Sequence, residues 1–164
     1  MSGKNLFQKI LDISTDVRSI EKNMTVGSGN YSYKAVSDLA VTIAVKTAEE
    51  KHGVVSIPIR QELVSSEVYR STKKETYNGK ETEKETFTYV DNIKMTVRFI
   101  NVNDPSEFVD VETYGKGIDT GDKGFGKAST YARKYALLNA YKIATGDDPD
   151  KDASPEDGNH GKPV

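Results

Sequence analysis

Apolar residues near the start of the chain recur with the spacing of a helix. Their separations are four, three, four and three residues, at Leu6, Ile10, Ile13, Val17 and Ile20. This spacing places all of them on one side of a helix. The pattern therefore predicts an amphipathic helix over roughly residues 4–20.

A loop and a second helix are predicted next. Residues 21–34 are rich in glycine, serine and asparagine, which is typical of a loop. Ser37 can cap a helix start, and His52-Gly53 can end the helix, because glycine readily adopts the left-handed conformation that closes helices. The apolar stripe of this second helix is predicted to include Leu39, Ile43 and Val45.

After the second helix the pattern changes to that of β-strands. The segment VVSIPIRQELV predicts a first strand, in which Pro58 indicates an edge position or a bulge, because proline has no N–H to donate. Asn78-Gly79 predicts a type I′ hairpin turn, since both residues tolerate a positive φ angle. The hairpin arms, around residues 65–76 and 81–90, are rich in Thr, Lys and Glu and should bury little.

Two further strands and a third helix complete the predicted order. NIKMTVRFI and FVDVETYGKGI are typical of strands, joined by a turn over residues 103–106. Glycines are dense over 117–126, and a third helix is expected at roughly 124–142, with its end marked by Gly146. The order is α-α-β-β-β-β-α, an α+β fold in which an antiparallel β-sheet or hairpin array packs against helices.

Composition excludes several classes of chemistry. The chain has 164 residues, no cysteine and only two histidines, which lie far apart in the sequence. Disulfides, thiolate metal sites and cysteine nucleophiles are excluded, and a histidine metal site or a serine–histidine triad is disfavoured. No stretch resembles a signal peptide or approaches the ~18 apolar residues of a membrane span. We therefore expect a cytoplasmic protein without membrane association.

Charge is distributed unevenly along the chain, whose formal net charge is −2 at pH 7. Residues 147–164 hold six acidic and two basic side chains and almost nothing apolar, which predicts a disordered acidic tail. The preceding residues, 1–146, should form one domain with a charge of about +2. Affinity for phosphate would have to come from local clustering of bases, since the overall field is weak.

The third predicted helix carries the densest basic surface. Lysines at one- and two-turn spacing suit a chain of phosphates, because each neutralised phosphate releases a counterion. Interleaved tyrosines could stack on unpaired bases, and the glycines before the helix would let backbone amides approach a phosphate. An amphipathic helix with solvated lysines and core tyrosines is the alternative. The candidate DNA contacts are Lys123, Lys127, Thr130, Tyr131, Arg133, Lys134 and Tyr141.

One pattern is similar to a nucleotide-binding loop but lacks its chemistry. Gly121, Gly126 and Lys127 fit G-x-x-x-x-G-K, the start of a P-loop. The next residue should be Ser or Thr to hold magnesium, and it is Ala128. The acidic run in the tail lacks the glycine and terminal glutamate of a calcium-binding loop. We therefore predict no cofactor, no metal site and no catalytic residue.

The segment GKGIDTGDKGFGKASTYARKYALLNAYKIATGDDPD, residues 115–150, carries a recognisable signature. Its elements are the glycine-rich run 115–123, the closing segment 145–150, and Lys127, Thr130, Tyr131, Ala132, Lys134, Tyr135 and Leu138. Upstream, residues 33–37, the apolar helix after them and His52-Gly53 fit the same pattern. Together these residues resemble the ERF (essential recombination function) superfamily of phage single-strand annealing proteins, over most of residues 1–150.

The resemblance implies a function, a fold and partners. The function is ATP-independent binding of single-stranded DNA and annealing of complementary strands in phage recombination, in the host cell cytoplasm. The active form would be a homo-oligomer, a ring or a filament, and a single-strand binding protein is a candidate further partner. The implied fold is related to the β-β-β-α core of eukaryotic annealing proteins. Gly124 departs from the family pattern, in which alanine is frequent, and this indicates a looser helix start.

Alternatives to annealing remain at this point. A single-stranded DNA-binding protein that protects DNA without annealing needs the same basic groove and stacking platforms. A protein that only engages a partner through its hairpin is disfavoured by the basic helix and by the resemblance. The hairpin has no place in the family pattern: Arg70, Lys73 and Lys74 are candidate DNA contacts, its mixed charges suit contact between subunits, and a solvated flap is the alternative.

Overall fold

The computed structural model of the chain describes residues 3–22, 24–26, 33–77 and 79–146. The helices are α1 (Leu6–Asp16), α2 (Asp38–His52) and α3 (Gly124–Tyr141). The strands are β1 (Met24–Val26), β2 (Tyr33–Ala35), β3 (Val54–Tyr77), β4 (Lys80–Asn101) and β5 (Asp104–Asp119). The predicted acidic tail, 147–164, lies outside the described residues.

A three-stranded antiparallel sheet is the framework of the fold, and its order is β3-β4-β5. One face of the sheet packs against the helices, and the central strand β4 contributes alternate buried side chains to it, at Ile93, Met95, Val97 and Phe99. The predicted α+β fold with an antiparallel sheet against helices is confirmed. From β3 to α3 the chain also has the expected β-β-β-α order.

The first two strands of the sheet form one long hairpin. Pairing continues from Val54 opposite Asn101 to Tyr77 opposite Lys80, and Gly79 has a φ of 74° in the connecting turn. The prediction of four strands is wrong, because pairing persists past two register shifts and joins each arm to the strand beside it. The arms are exposed, as predicted, and Asn78 lies outside the described residues.

Proline and turn positions are partly as predicted. Pro58 lies in the edge strand β3, beside a register shift between Pro58 and Arg60, which confirms its predicted setting. The turn between β4 and β5 is tighter than the predicted 103–106. Asn101 already pairs with Asp104, so only the two residues between them form the turn.

The helix boundaries agree with the prediction except at the end of α1. The Ser37 hydroxyl accepts the Ala40 N–H at 3.1 Å, and α2 closes before Gly53, whose φ is 69°. Both features of α2 are confirmed. By contrast, α1 ends at Asp16 instead of near residue 20. The third helix ends at Tyr141, within one residue of the predicted 142, because Lys142 adopts a φ of 51° and breaks the helix before Gly146.

The buried side of α2 differs from the predicted stripe. Leu39 and Ile43 are 68% and 57% exposed, whereas Val45 is buried as expected. The side that packs against the core is formed by Val41, Val45 and Ala48, which are four and three residues apart. Apolar residues occur on both sides of this helix, so their spacing alone did not identify the inner side.

The segment predicted as a loop contains a two-stranded ribbon. Strands β1 and β2 pair antiparallel, with Met24 opposite Ala35. Each strand has three residues, too few for a pattern of alternating polarity to be read from the sequence. The ribbon leads directly into α2 and so places that helix start near α3.

Helix α3 lies unusually close to strand β5. A Cβ atom added to Gly115 would collide with the carbonyl oxygen of Ala128, and one added to Gly117 would collide with the carbonyl oxygen of Gly124. On the helix side, Ala128, Ala132 and Ala136 are fully buried. The strand glycines thus serve packing of helix against strand. Phosphate approach by the glycines directly before the helix stays a prediction.

A buried polar cluster links α2, α3 and β3. The Tyr141 hydroxyl donates to Glu49 Oε1 at 2.6 Å, and the Ser56 hydroxyl donates to Glu49 Oε2 at 3.2 Å. Tyr141 also packs edge-to-face on Phe99, with 5.4 Å between ring centroids. Burial raises the pKa of Glu49, and burial together with Glu49 raises the pKa of Tyr141.

None of the described helices is both long enough and apolar enough to cross a membrane.

We predict that Gly117→Ala destabilises the protein by about 1–3 kcal/mol or more, because the added methyl group meets helix backbone that cannot rotate away. Gly126→Ala is the matched control. A Cβ at Gly126 meets no atom, and alanine in a helix is favoured over glycine by about 1 kcal/mol. Urea denaturation should show opposite signs for the two variants. Equal stability of Gly117→Ala and wild type would contradict the close packing.

We predict that Glu49→Gln gains stability relative to wild type as pH rises from about 4 to 7. The raised pKa of Glu49 means that the folded state binds its proton more tightly than the unfolded state. The wild-type contribution is therefore full below the unfolded pKa and is lost as pH rises through the folded pKa. The exposed neighbour Glu50→Gln is the control, and its difference from wild type should not grow in this direction. Unfolding free energies at several pH values test this.

Candidate nucleic-acid interface

The side of α3 that faces away from the sheet forms one wall of a cleft. The cleft has a volume of about 700 Å³. Its lining combines α3 with the ribbon strand β1, the start of α2 and the residue before Lys123: Met24, Asp38, Asp122, Lys123, Gly126, Lys127, Thr130, Tyr131 and Lys134. Five predicted DNA contacts on the helix are therefore brought together: Lys123, Lys127, Thr130, Tyr131 and Lys134.

The basic side chains of the cleft differ in whether they already form an ion pair or a hydrogen bond within the protein. Lys123 is exposed and makes no ion pair within the described part of the chain. Lys127 is about half exposed, forms an ion pair with Asp119 and donates to the carbonyl oxygen of Ile118 at 3.0 Å. Asp119, at the end of β5, also accepts the Gly121 N–H at 2.8 Å. These contacts, led by that of Lys127, lower the pKa of Asp119, which is therefore ionised at neutral pH.

Lys134 is a structural cation at the floor of the cleft. Its residue is only 6% exposed, and its Nζ donates to the carbonyl oxygen of Val36 at 3.0 Å. The ammonium group lies 4.7 Å from the Tyr131 ring centroid and 5.6 Å from that of Tyr135. Desolvation lowers the pKa of Lys134, and the charge of Asp38 opposes this shift. Lys134, a predicted DNA contact, therefore joins α3 to the segment between the ribbon and α2.

Two aromatic rings lie beside this cation. Tyr131 and Tyr135 are stacked, with 6.0 Å between centroids and 25° between planes. Tyr131 lines the cleft, and Tyr135 is 43% exposed. Tyrosine faces of this kind can accept a nucleobase by stacking, which every base permits.

Two predicted DNA contacts on α3 lie outside the cleft. Arg133 forms an ion pair with Asp38 at 2.6 Å and does not line the cleft. Tyr141 is fully buried and hydrogen-bonded to Glu49, so it cannot reach a DNA base, and its assignment as a contact is wrong. A helical wheel does not reveal this, because the wheel cannot show that the sheet and α2 cover the end of the helix.

The predicted hairpin contacts lie in the exposed arms, away from the helix layer. Arg70 is ion-paired with Glu85 across the strands, and Lys74 lies 3.9 Å from Glu83. Lys73 pairs in register with Lys84, so two like charges face each other there. None of the three lines the cleft beside α3.

The cleft includes residues that the sequence did not single out. Met24 comes from the ribbon, Asp38 from the first turn of α2, and Asp119 pairs with Lys127 from the end of β5. Asp119 stands in the glycine-rich run, but its partner follows eight positions later across a change from strand to helix. No local spacing signals such a pair. Within the described residues, no group of three or more His, Cys, Asp or Glu side chains is placed to hold a metal ion.

Comparison with protein families gives one match. The model of the ERF superfamily matches residues 6–163, nearly the whole chain. No curated protein matches the chain significantly.

We predict that Lys134→Met lowers the free energy of unfolding by about 1–3 kcal/mol, because the Val36 carbonyl loses its donor in a buried setting. Methionine keeps an unbranched apolar stem, so the loss reports mainly the ammonium group. Lys127→Met, at the half-exposed lysine, should cost less. Urea denaturation compares the two. If Lys134→Met were as stable as wild type, the lysine would not be holding the ribbon side to α3.

Proposed function

The chain belongs to the ERF superfamily, a family of phage recombination and single-strand annealing proteins, and we propose that this chain binds single-stranded DNA and anneals complementary strands without a nucleotide cofactor. The observation that carries the proposal is the cleft beside α3. There the lysines and tyrosine of the family signature converge on one open surface.

The proposed contacts follow from the chemistry of the cleft. Lys123 and Lys127 would neutralise phosphates, since both residues line the cleft and expose much of their side chains. The Thr130 hydroxyl can donate to a phosphate oxygen, and the Tyr131 face can stack on a base. Such contacts read no base edge, so the binding should be largely independent of sequence.

ATP independence is supported by the setting of the P-loop-like residues. Gly126 and Lys127 lie within α3, and Ala128 is fully buried against the sheet where a P-loop needs a magnesium-binding hydroxyl. The preceding strand, β5, is the edge of an antiparallel sheet. A P-loop instead follows a buried strand of a parallel sheet.

Assembly into a ring or filament is part of the proposal. One cleft with few free cations would hold a flexible strand weakly, whereas linked clefts gain effective concentration without new contacts. Arg70, Lys73 and Lys74 in the hairpin would then contact either DNA or a neighbouring subunit. A single-strand binding protein as a further partner and action in the host cytoplasm are expectations that come with the family.

A second function uses the same cleft: binding that protects single strands without pairing them. Both functions need exposed cations and a stacking ring. They differ in whether bound strands keep their base edges free for pairing, which the cleft geometry does not distinguish. The experiment must therefore measure annealing itself.

We predict that the purified protein accelerates annealing of complementary oligonucleotides in EDTA and without nucleotide. Fluorescence quenching on pairing would follow the rate. Lys123→Gln should weaken binding and lower the salt slope by about 0.7 or less, the value for one phosphate on a single strand. Lys116→Gln is the control, because Lys116 alternates with the inward-facing glycines of β5 and points to the opposite side of the sheet.

Three outcomes would contradict the proposal in different ways. Strict dependence on ATP and magnesium would restore a nucleotide-binding role for the glycine-rich run. Binding without faster annealing would favour the protective function. Equal loss from Lys123→Gln and Lys116→Gln would remove the cleft as the DNA site.

A further inference from the structure

Two carboxylates form ion pairs with cations of α3. Asp119 pairs with Lys127, and Asp38 pairs with Arg133 at 2.6 Å. These carboxylates come from the strand before the helix and from the start of α2, so they approach α3 from different elements. Of the lysines that line the cleft, Lys134 is also engaged, by the Val36 carbonyl.

The Asp119 carboxylate is held in place beside Lys127 by the backbone around it. Its side chain is only 15% exposed, and the Gly121 N–H holds Oδ1 while Oδ2 faces Lys127. The lysine in turn remains 46% exposed and borders the open cleft. The carboxylate is thus fixed, whereas the ammonium group can turn towards a second anion.

We propose that Asp119 acts as a built-in competitor that DNA phosphate must displace from Lys127. This inference rests on the proposed function of the cleft. Binding then exchanges one anion for another at Lys127 instead of adding an ion pair to a free cation. Asp119 would set how tightly a strand is held and would keep each contact readily reversible.

A second ion pair between an aspartate of β5 and a cation provides the control. Arg98 pairs with Asp110 at 2.7 Å through its Nε, on the face of the sheet opposite to the one that buries Val97 and Phe99. Asp110→Asn and Asp119→Asn change the net charge equally, and each frees one cation. Only Asp119→Asn frees a cation in the cleft. The two variants therefore separate local competition from a general gain in positive charge.

We expect Asp119→Asn to bind a fluorescently labelled oligothymidylate about two- to five-fold more tightly than Asp110→Asn at low salt, the effect of releasing one exposed ion pair. Asparagine keeps the oxygen that accepts the Gly121 N–H, so the turn should remain folded. Fluorescence anisotropy measures binding, and circular dichroism checks the fold. In the double variant Asp119→Asn with Lys127→Gln, the gain should vanish.

The outcomes distinguish this inference from the proposed function. If wild type and both variants fail to bind the oligonucleotide, the function proposed for the cleft is wrong and this inference falls with it. If wild type binds and the two aspartate variants bind equally, only the competitor role is overturned. Persistence of the gain in the double variant would also overturn it, since Lys127 would not be the cation released. If Asp119→Asn does not fold, Lys127→Gln alone gives the answer: a loss much smaller than that of Lys123→Gln supports prior occupation by the carboxylate, and an equal loss opposes it.

Discussion

The contact between helix α3 and strand β5 constrains the rest of the structure. Gly115 and Gly117 leave no side chain between the two backbones, and Ala128 and Ala132 fill the interface from the helix side. Small residues on both partners allow only one side of the helix to face the sheet. Each residue of a helix is rotated by about 100° from the last, so the opposite side must present the lysines. The orientation of the cleft is therefore a result of packing, on residues that carry no charge.

The second wall of the cleft depends on a charge taken out of water. Burying an ammonium group is costly unless hydrogen bonds and nearby electron-rich groups offset the lost hydration. Lys134 finds these in the Val36 carbonyl and in the faces of Tyr131 and Tyr135. The lowered pKa of Lys134 shows that these contacts do not fully offset its desolvation. The Lys134 side chain connects the segment before α2 to α3. It therefore shapes the cleft, although its ammonium group is already hydrogen-bonded and is not free to bind phosphate.

Features encoded by neighbouring residues could be predicted from the sequence, and features made by distant ones could not. The shared side of Lys127 and Thr130 follows from helix geometry alone, and the positive φ of Gly79 and the α2 caps follow from local backbone preferences. The burial of Tyr141 depends on Glu49, 92 residues away in the sequence. The fusion of strands into one long hairpin likewise depends on pairing across the sheet, which the breaks in apolar pattern conceal.

Most of the charged side chains named above form ion pairs, in a chain whose formal net charge is only −2. On the open sheet face, Lys94 pairs with Glu112 and Arg98 with Asp110, and the hairpin repeats the arrangement. Cross-strand pairs of this kind keep an exposed sheet from sticking to other sheets and leave little field for nucleic acid. Under the proposed function this favours moderate affinity at each cleft. An annealing protein must release a strand once that strand has paired. Weak contacts repeated over an assembly meet this requirement better than a strongly basic groove.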